Sequence, residues 1–183
     1  MESHLSLLLI SRARLLLALF VISSCVGCDQ VTKYAATETL AGEPTRSFLG
    51  DTVQLSFAMN PGGFLSLGGT LPSPLRQCLF VGMNSVFMIA IAVFLVRKAN
   101  INISMFLALA LILSGGIGNL IDRVRNEGFV TDFIVLRLGP MRTGVFNIAD
   151  VAVTLGVGII FLLSLRRDGG EQNAEPELPI TGT

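Results

Sequence analysis

The sequence predicts an all-α membrane protein with four transmembrane helices and a small extracytoplasmic β-sheet. Of its 183 residues, 51% are hydrophobic and only 14% are charged, which is rare in a soluble domain of this length. Four apolar segments have about the 20 residues that a helix needs to cross a bilayer. Two segments between them have the composition and alternation of strands. A formal net charge of zero also means that the chain has no basic excess to hold nucleic acid.

The four spans are expected at about residues 14–33, 77–96, 99–121 and 143–165. The second and third contain no charge, and the fourth contains one, Asp150. Together they predict a single membrane domain over residues 1–167. The polar residues 168–183 are expected to form a disordered cytoplasmic tail.

The basic residues favour a topology with both termini in the cytoplasm. Seven of the 13 Lys and Arg residues then fall on the outer side, so the count alone does not decide the orientation. The other six form pairs beside span ends, which is the pattern of membrane anchors: Arg12 and Arg14, Arg97 and Lys98, Arg166 and Arg167.

Two segments between the spans predict short strands. Residues 52–59 alternate apolar with polar side chains and end at Asn60, before a Pro-Gly-Gly bend. Residues 128–139, "GFVTDFIVLRLG", are rich in Val, Ile and Phe, which favour strands. We expect the two strands to form a sheet on the outer membrane surface.

The first span also has features of a lipoprotein signal peptide. Basic residues precede an apolar run, and Cys28 follows Val26 and Gly27, which would make it the lipidated residue. A secreted lipoprotein would need only this span, and the other three argue against that interpretation. Cys25 and Cys28 form a C-x-x-C, but the chain has no second pair and a single His, so we predict no metal or redox site.

Ionisable side chains inside spans are costly and are therefore candidates for function. Asp29 follows 14 uncharged residues after Arg14, and Asp150 precedes 15 uncharged residues before Arg166. At about 1.5 Å per residue, each carboxylate lies roughly 21–24 Å from the cytoplasmic arginines. Both are therefore expected at the same depth, near the outer boundary of the hydrocarbon.

Further polar residues are expected at that level. The third span carries Asn119 and Asp122 to the outer side, and Asp132 lies on the second predicted strand. Two carboxylates that share one proton can hydrolyse a peptide bond without a metal, whereas nothing here supports a nucleophilic triad. Paired carboxylates also suit an ion or proton transporter, which is the alternative function. Asp122 stays open as a catalyst, although its neighbour Arg123 favours a fixed ionised role.

Five motifs, in this order along the chain, resemble those of lipoprotein signal peptidase (signal peptidase II), the bacterial aspartic intramembrane protease family. They are "DQVTK" at 29–33, "NPGGF" at 60–64, "GGIGNLIDRV" at 115–124, "VTDF" at 130–133 and "FNIAD" at 146–150. The resemblance covers about residues 12 to 167. The spacing of the last three motifs makes it highly specific.

This resemblance implies that Asp132 and Asp150 are the catalytic pair. It also implies that seven polar residues support the pair or bind substrate: Asp29, Lys33, Asn60, Asn119, Asp122, Arg123 and Asn147. The expected substrate is a prolipoprotein whose cysteine carries diacylglycerol, cut before that cysteine, and the expected inhibitor is globomycin. No cofactor or metal is implied. The implied location is the bacterial inner membrane, with the active site near the outer face and in contact with membrane lipid.

One motif departs from the family. The family commonly has Asn-Thr-Gly-Ala-Ala-Phe where this chain has "NPGGF", one residue shorter and with a proline after Asn60. Proline fixes its own φ and lacks a backbone donor. We therefore expect Asn60 to keep its place, and leave open the path of the loop and the role of Phe64.

Overall fold

A computed structural model of the protein describes residues 2–63, 68–98 and 101–171. Within them, four helical segments are long and apolar enough to cross a membrane, so the predicted class of four membrane helices with a small sheet is confirmed. A short helix, Ser73–Gln77, continues through a π-helical turn, Cys78–Met83, into the helix Asn84–Arg97. The elements in chain order are α1 (Glu2–Leu40), β1 (Arg46–Phe48), β2 (Val53–Asn60), α2 (Ser73–Gln77), α3 (Asn84–Arg97), α4 (Ile103–Arg125), β3 (Val130–Leu138), β4 (Met141–Arg142) and α5 (Ile148–Glu171).

Helix α1 continues to Leu40, beyond the expected end of the first span at Lys33. Its last turns are held by apolar packing, since Ala36 and Leu40 are buried against Phe133 of the sheet. Asp29 and Lys33 are therefore mid-helix residues rather than residues at a helix end.

The last two membrane helices begin later in the chain than the predicted spans. Asn102 caps α4 by accepting a hydrogen bond from Ser104 N at 2.8 Å, so that helix begins at Ile103. Helix α5 begins at Ile148 rather than at 143, because Phe146 forms a bridge with Ile134 of β3. It extends to Glu171, past the expected start of the tail at 168, and residues 172–183 lie outside the described chain, as does Phe64.

Small residues let α4 pack closely on its neighbours. A Cβ at Gly115 would collide with the carbonyl oxygen of Ala149, and one at Gly156 would lie 2.6 Å from the carbonyl oxygen of Ala108. Glycine at such crossings allows helix backbones to approach each other in membrane proteins. This close approach brings the last turns of α4 beside the first turn of α5.

The sheet lies at the same end of the bundle, against the last turns of α1 and α4. Its four antiparallel strands have the order β1-β2-β3-β4, and the two predicted strands are the central pair. A bulge between Leu55 and Ala58 shifts the register, so that Ala58 lies opposite Asp132. Bulges often re-aim side chains beside active sites. The bridge from Ile134 to Phe146 also brings the start of α5 next to Asp132.

Candidate active site

Asp132 lies on β3, where it accepts a hydrogen bond on each carboxylate oxygen. Asn60 Nδ2 donates to Oδ2 at 2.9 Å, and Asn147 Nδ2 donates to Oδ1 at 2.6 Å. The residue is 1% exposed. Burial and, to a smaller extent, the nearby Asp150 raise the pKa of Asp132 to about 6, although the two amide donors lower it. A carboxyl with this pKa exchanges its proton close to neutral pH.

Asp150 lies in the first turn of α5, in a reciprocal cap with Asn147. The side-chain oxygen of Asn147 accepts from Asp150 N at 3.0 Å, and Asp150 Oδ2 accepts from Asn147 N at 3.2 Å. This arrangement is a capping box in which Asp replaces the usual Glu or Gln. Asn147 therefore contacts both Asp132 and Asp150, and it is completely buried.

Asn119, on α4, makes the second link. Its Nδ2 donates to Asp150 Oδ1 at 2.8 Å, and its Oδ1 accepts from Asn147 Nδ2 at 3.1 Å. In the described part of the chain, neither Asp132 nor Asp150 forms an ion pair. Both carboxylates are thus held by neutral amide groups.

Lys33 organises a second cluster one turn away. Its Nζ lies 2.9 Å from Asp29 Oδ2 and 3.3 Å from Asp122 Oδ2, and it donates to Asn119 Oδ1 at 2.9 Å. All four side chains are largely or fully buried. The expected pairing of Asp122 with its neighbour Arg123 is wrong in detail, because the cation that contacts Asp122 is Lys33. The predicted role as a fixed ionised group stays a prediction.

Asp29 and Asp122 also hold backbone groups of other elements. Asp29 Oδ1 accepts from Ala149 N at 2.8 Å, which satisfies a free donor in the first turn of α5. Asp122 Oδ2 accepts from Thr131 N at 2.8 Å, directly before Asp132. The Lys33 cluster therefore fixes the backbone on which each residue of the predicted catalytic pair is carried.

Arg123 is buried on the other side of Asn119. It donates to the carbonyl oxygen of Gly62 at 2.8 Å and lies over the ring of Phe80, with 5.3 Å between its Cζ and the ring centroid. Phe80 belongs to the π-helical turn, an irregularity that often occurs at functional sites. Arg123 thereby ties the loop after Asn60 to the helix that carries Asn119.

Gln30 is a site residue that the sequence analysis did not select. Its amide donates to Asp122 Oδ1 at 3.0 Å and to the carbonyl oxygen of Gly118 at 3.2 Å, and its Oε1 accepts from Arg125. The signal was its position beside Asp29 in "DQVTK". Thr32 of the same motif bonds only to carbonyl groups of its own helix.

All nine predicted site residues lie in one connected network, and part of it borders a cavity. The cavity has a volume of about 360 Å³, within the range of small-molecule sites. Its polar lining includes both Asp132 and Asp150, together with Asn60, Asn119 and Arg123. Apolar side chains such as Val151 and Leu155 of α5 continue it along the membrane-spanning part of that helix. A ligand with a polar end and an apolar end would fit.

Comparisons with known proteins agree with one another. The family profile described as "Signal peptidase (SPase) II" matches residues 21–166. The chain is 36% identical over 159 residues to the lipoprotein signal peptidase of Borrelia duttonii, covering 84% of this chain and 92% of that one. It is 35% identical to that of Moorella thermoacetica, covering 88% and 98%. A solved structure titled as a bacterial membrane enzyme superposes with a TM-score of 0.72 at 27% identity, covering 86% and 93%.

Proposed function

The chain belongs to the signal peptidase II family, whose members include lipoprotein signal peptidases, and from that premise we propose that it is an aspartic endopeptidase with Asp132 and Asp150 as its catalytic pair. The observation that carries the proposal is the way these carboxylates are held. One amide, Asn147, contacts both of them, both line one cavity, and no described cation pairs with either.

The pair shares one proton in the proposed reaction. We assign it to Asp132, because burial raises the pKa of this carboxyl to about 6, and Asp150 acts as the base. Asp150 removes a proton from water, whose oxygen then bonds to the scissile carbonyl carbon, while Asp132 protonates the carbonyl oxygen. As the tetrahedral intermediate collapses, a hydroxyl proton returns to Asp132, the C–N bond breaks, and the proton on Asp150 passes to the leaving nitrogen.

The other polar residues hold this arrangement in place. Asn60, Asn119 and Asn147 donate to the two carboxylates and fix their orientation, which preorganises the site before substrate binds. Asp29, Lys33 and Asp122 hold the backbone of α5 and β3. Arg123, which borders the cavity, positions the loop after Asn60. Its guanidinium group is suited to donate a hydrogen bond to a carbonyl oxygen of the substrate.

The proposed substrate is a prolipoprotein whose cysteine carries diacylglycerol, and the bond before that cysteine is cut. The cavity supports this choice, since its polar end holds the two aspartates and its apolar end follows the membrane-spanning face of α5. We place the protein in the bacterial inner membrane with both termini in the cytoplasm, the sheet and the site at the outer face, and membrane lipid around it. Globomycin-type inhibitors are expected to bind the cavity.

The test is cleavage of a purified diacylglyceryl-modified prolipoprotein by the full chain in lipid, with a chelator present throughout. We expect mass spectrometry to find a product that begins at the lipidated cysteine, and no product from the same precursor without its lipid. Asp132→Asn should abolish cleavage while the thermal unfolding transition is retained. A folded parent protein that never cuts this precursor would overturn the proposal and favour the ion-transport alternative.

A further inference from the structure

A second groove lies at the opposite end of the helix bundle from the site. It is an open groove of about 890 Å³, with α4 as its floor and α3 and α5 as its walls. Its apolar lining includes Ile91, Phe94, Met105, Leu109 and Leu163. Because these residues belong to membrane-spanning helices, the groove faces hydrocarbon rather than water. An acyl chain or an apolar helix is therefore its natural occupant.

The charged residues around the second groove indicate which molecule binds in it. Arg166 lines the mouth of the groove and makes no ion pair in the described part of the chain. Arg12, Arg97 and Lys98 are exposed at the same end of the bundle. No Asp or Glu occurs between Arg12 and Asp29, between Asp51 and Asp122, or between Asp150 and Arg166. The described helices carry three acidic residues at this end, Glu2, Asp168 and Glu171, against six basic ones, so a net positive charge remains there.

We propose that the groove binds an anionic phospholipid, with an acyl chain between α3 and α5 and the phosphate beside Arg166. Basic side chains at a membrane surface attract anionic headgroups, and the same charges repel a segment with a basic end. The bound lipid would fill the space between two helices that both pack on α4. It would therefore support α5, the helix that carries Asp150 at its other end. This inference does not depend on the proposed peptidase activity.

The chain contains no Trp, so a single introduced Trp is a clean reporter. Phe94→Trp places it in the groove, and Phe161→Trp places it on a 60% exposed face of α5 at similar depth. The full-length variants are reconstituted with phosphatidylglycerol or phosphatidylcholine that carries bromine on the acyl chains. We expect the Phe94→Trp reporter to prefer phosphatidylglycerol about fivefold, the size of effect that one basic side chain has near an anionic surface. The Phe161→Trp reporter should show no preference.

Arg166→Gln in the Phe94→Trp background should remove the preference, whereas Arg12→Gln, at the same end but outside the groove, should leave it. Met105→Trp is the alternative reporter if Phe94→Trp does not fold. Equal quenching by both lipids in the groove would overturn the proposal, as would a preference that survives Arg166→Gln. Weak quenching by both lipids, together with a raised KM when Leu109→Trp fills the groove, would instead assign it to an apolar segment of the substrate.

Discussion

The four carboxylates of the site, of which Asp29, Asp122 and Asp132 are buried, form two regions that differ in their partners. Asp29 and Asp122 share the ammonium group of Lys33, with separations of 2.9 and 3.3 Å. Among the described residues, Asp132 and Asp150 accept hydrogen bonds only from neutral amide and backbone donors. An opposite charge at such a distance favours the ionised form of a carboxyl more than a neutral donor does, so a carboxyl without a paired cation is better suited to proton transfer. The comparison separates carboxylates that build the site from those suited to its chemistry.

Asn119 is the boundary between the two regions. Its oxygen accepts from Lys33, so its nitrogen must face Asp150. An amide turned the other way would place its NH₂ group against the ammonium group and its oxygen against a carboxylate. Lys33 therefore sets the orientation of a donor to the proposed catalytic pair without contacting that pair.

The largest expected effect is the loss of activity when a carboxylate of the proposed catalytic pair is replaced, compared with a carboxylate of the Lys33 cluster. Asp132→Asn and Asp150→Asn should each lower kcat by about 10³-fold or more, because each removes a group that transfers a proton. Asp122→Asn should lose stability and keep part of its activity, since its proposed role is to hold backbone and Lys33. Cleavage of the lipid-modified precursor measures activity, and thermal unfolding in the same lipid measures stability. Asp51→Asn is the control, because the Asp51 side chain is exposed in the turn between β1 and β2.

A complete loss of activity in a folded Asp122→Asn protein would contradict this division. It would move Asp122 into the catalytic group, the possibility that the sequence alone leaves open.

Removal of the buried cation is expected to have the next largest effect. Lys33→Met leaves Asp29 and Asp122 as unpaired buried charges, which costs about 3–5 kcal/mol when one partner of a buried ion pair is deleted. Chemical unfolding of the purified protein in mild detergent measures the change. Arg137→Met breaks the exposed pair of Arg137 with Asp51 and should change stability little. Similar losses in the two variants would show that the Lys33 cluster is not the structural centre described above.

Asn147 tests how precisely the pair must be held. Asn147→Ala removes the cap of α5, which costs about 1 kcal/mol, and also the bonds to Asp132 and Asn119. We expect kcat to fall about 10²-fold, the size of effect that a small misplacement of reacting groups produces. Asn102→Ala is the matched control, because it removes the cap of α4 far from the site. It should lose similar stability and retain kcat, as measured by unfolding and cleavage assays.

Much of this site follows from the sequence, and the rest depends on contacts between distant segments. Counting uncharged residues from Arg14 and Arg166 predicts that Asp29 and Asp150 lie at the same depth along the helix bundle. The hydrogen bond from Ala149 N to Asp29 agrees with this prediction. The sequence also contains Asn147 and Asp150 at the spacing of a capping box. That Asn147 reaches Asp132 depends on the bridge between Phe146 and Ile134, which no local pattern reveals.

The sequence analysis missed strands β1 and β4 and the cation that contacts Asp122, for similar reasons. Strands β1 and β4 have three and two residues, too few for an alternation to be visible. Asp122 is adjacent to Arg123 in sequence, but successive residues of a helix point in different directions. Lys33, 89 positions away, faces it instead.

The smallest expected effect is a shift in pH dependence. The hydrogen bond from Asn60 lowers the pKa of Asp132, which burial raises to about 6. Because the proposed reaction needs the proton on Asp132, kcat/KM should fall as the pH rises through this pKa. Asn60→Ala removes a bond that stabilises the ionised form, so the pKa rises and the falling limb moves up by about 0.5–1 pH unit. Initial rates at low substrate concentration across pH 5 to 9 would measure it.

Gln54→Ala is the matched control for that shift, since Gln54 also donates an amide hydrogen bond to a carboxylate, Asp51, from the same strand. Its kcat/KM profile should match that of the parent. In both Gln54→Ala and the parent, the falling limb of the kcat profile should lie at higher pH than that of kcat/KM. Bound substrate excludes water and so disfavours the ionised form of the carboxyl further. A limb that moves to lower pH in Asn60→Ala would mean that Asp132 acts in its ionised form. Asp150 would then be the residue that carries the proton, and the two members of the pair would exchange roles.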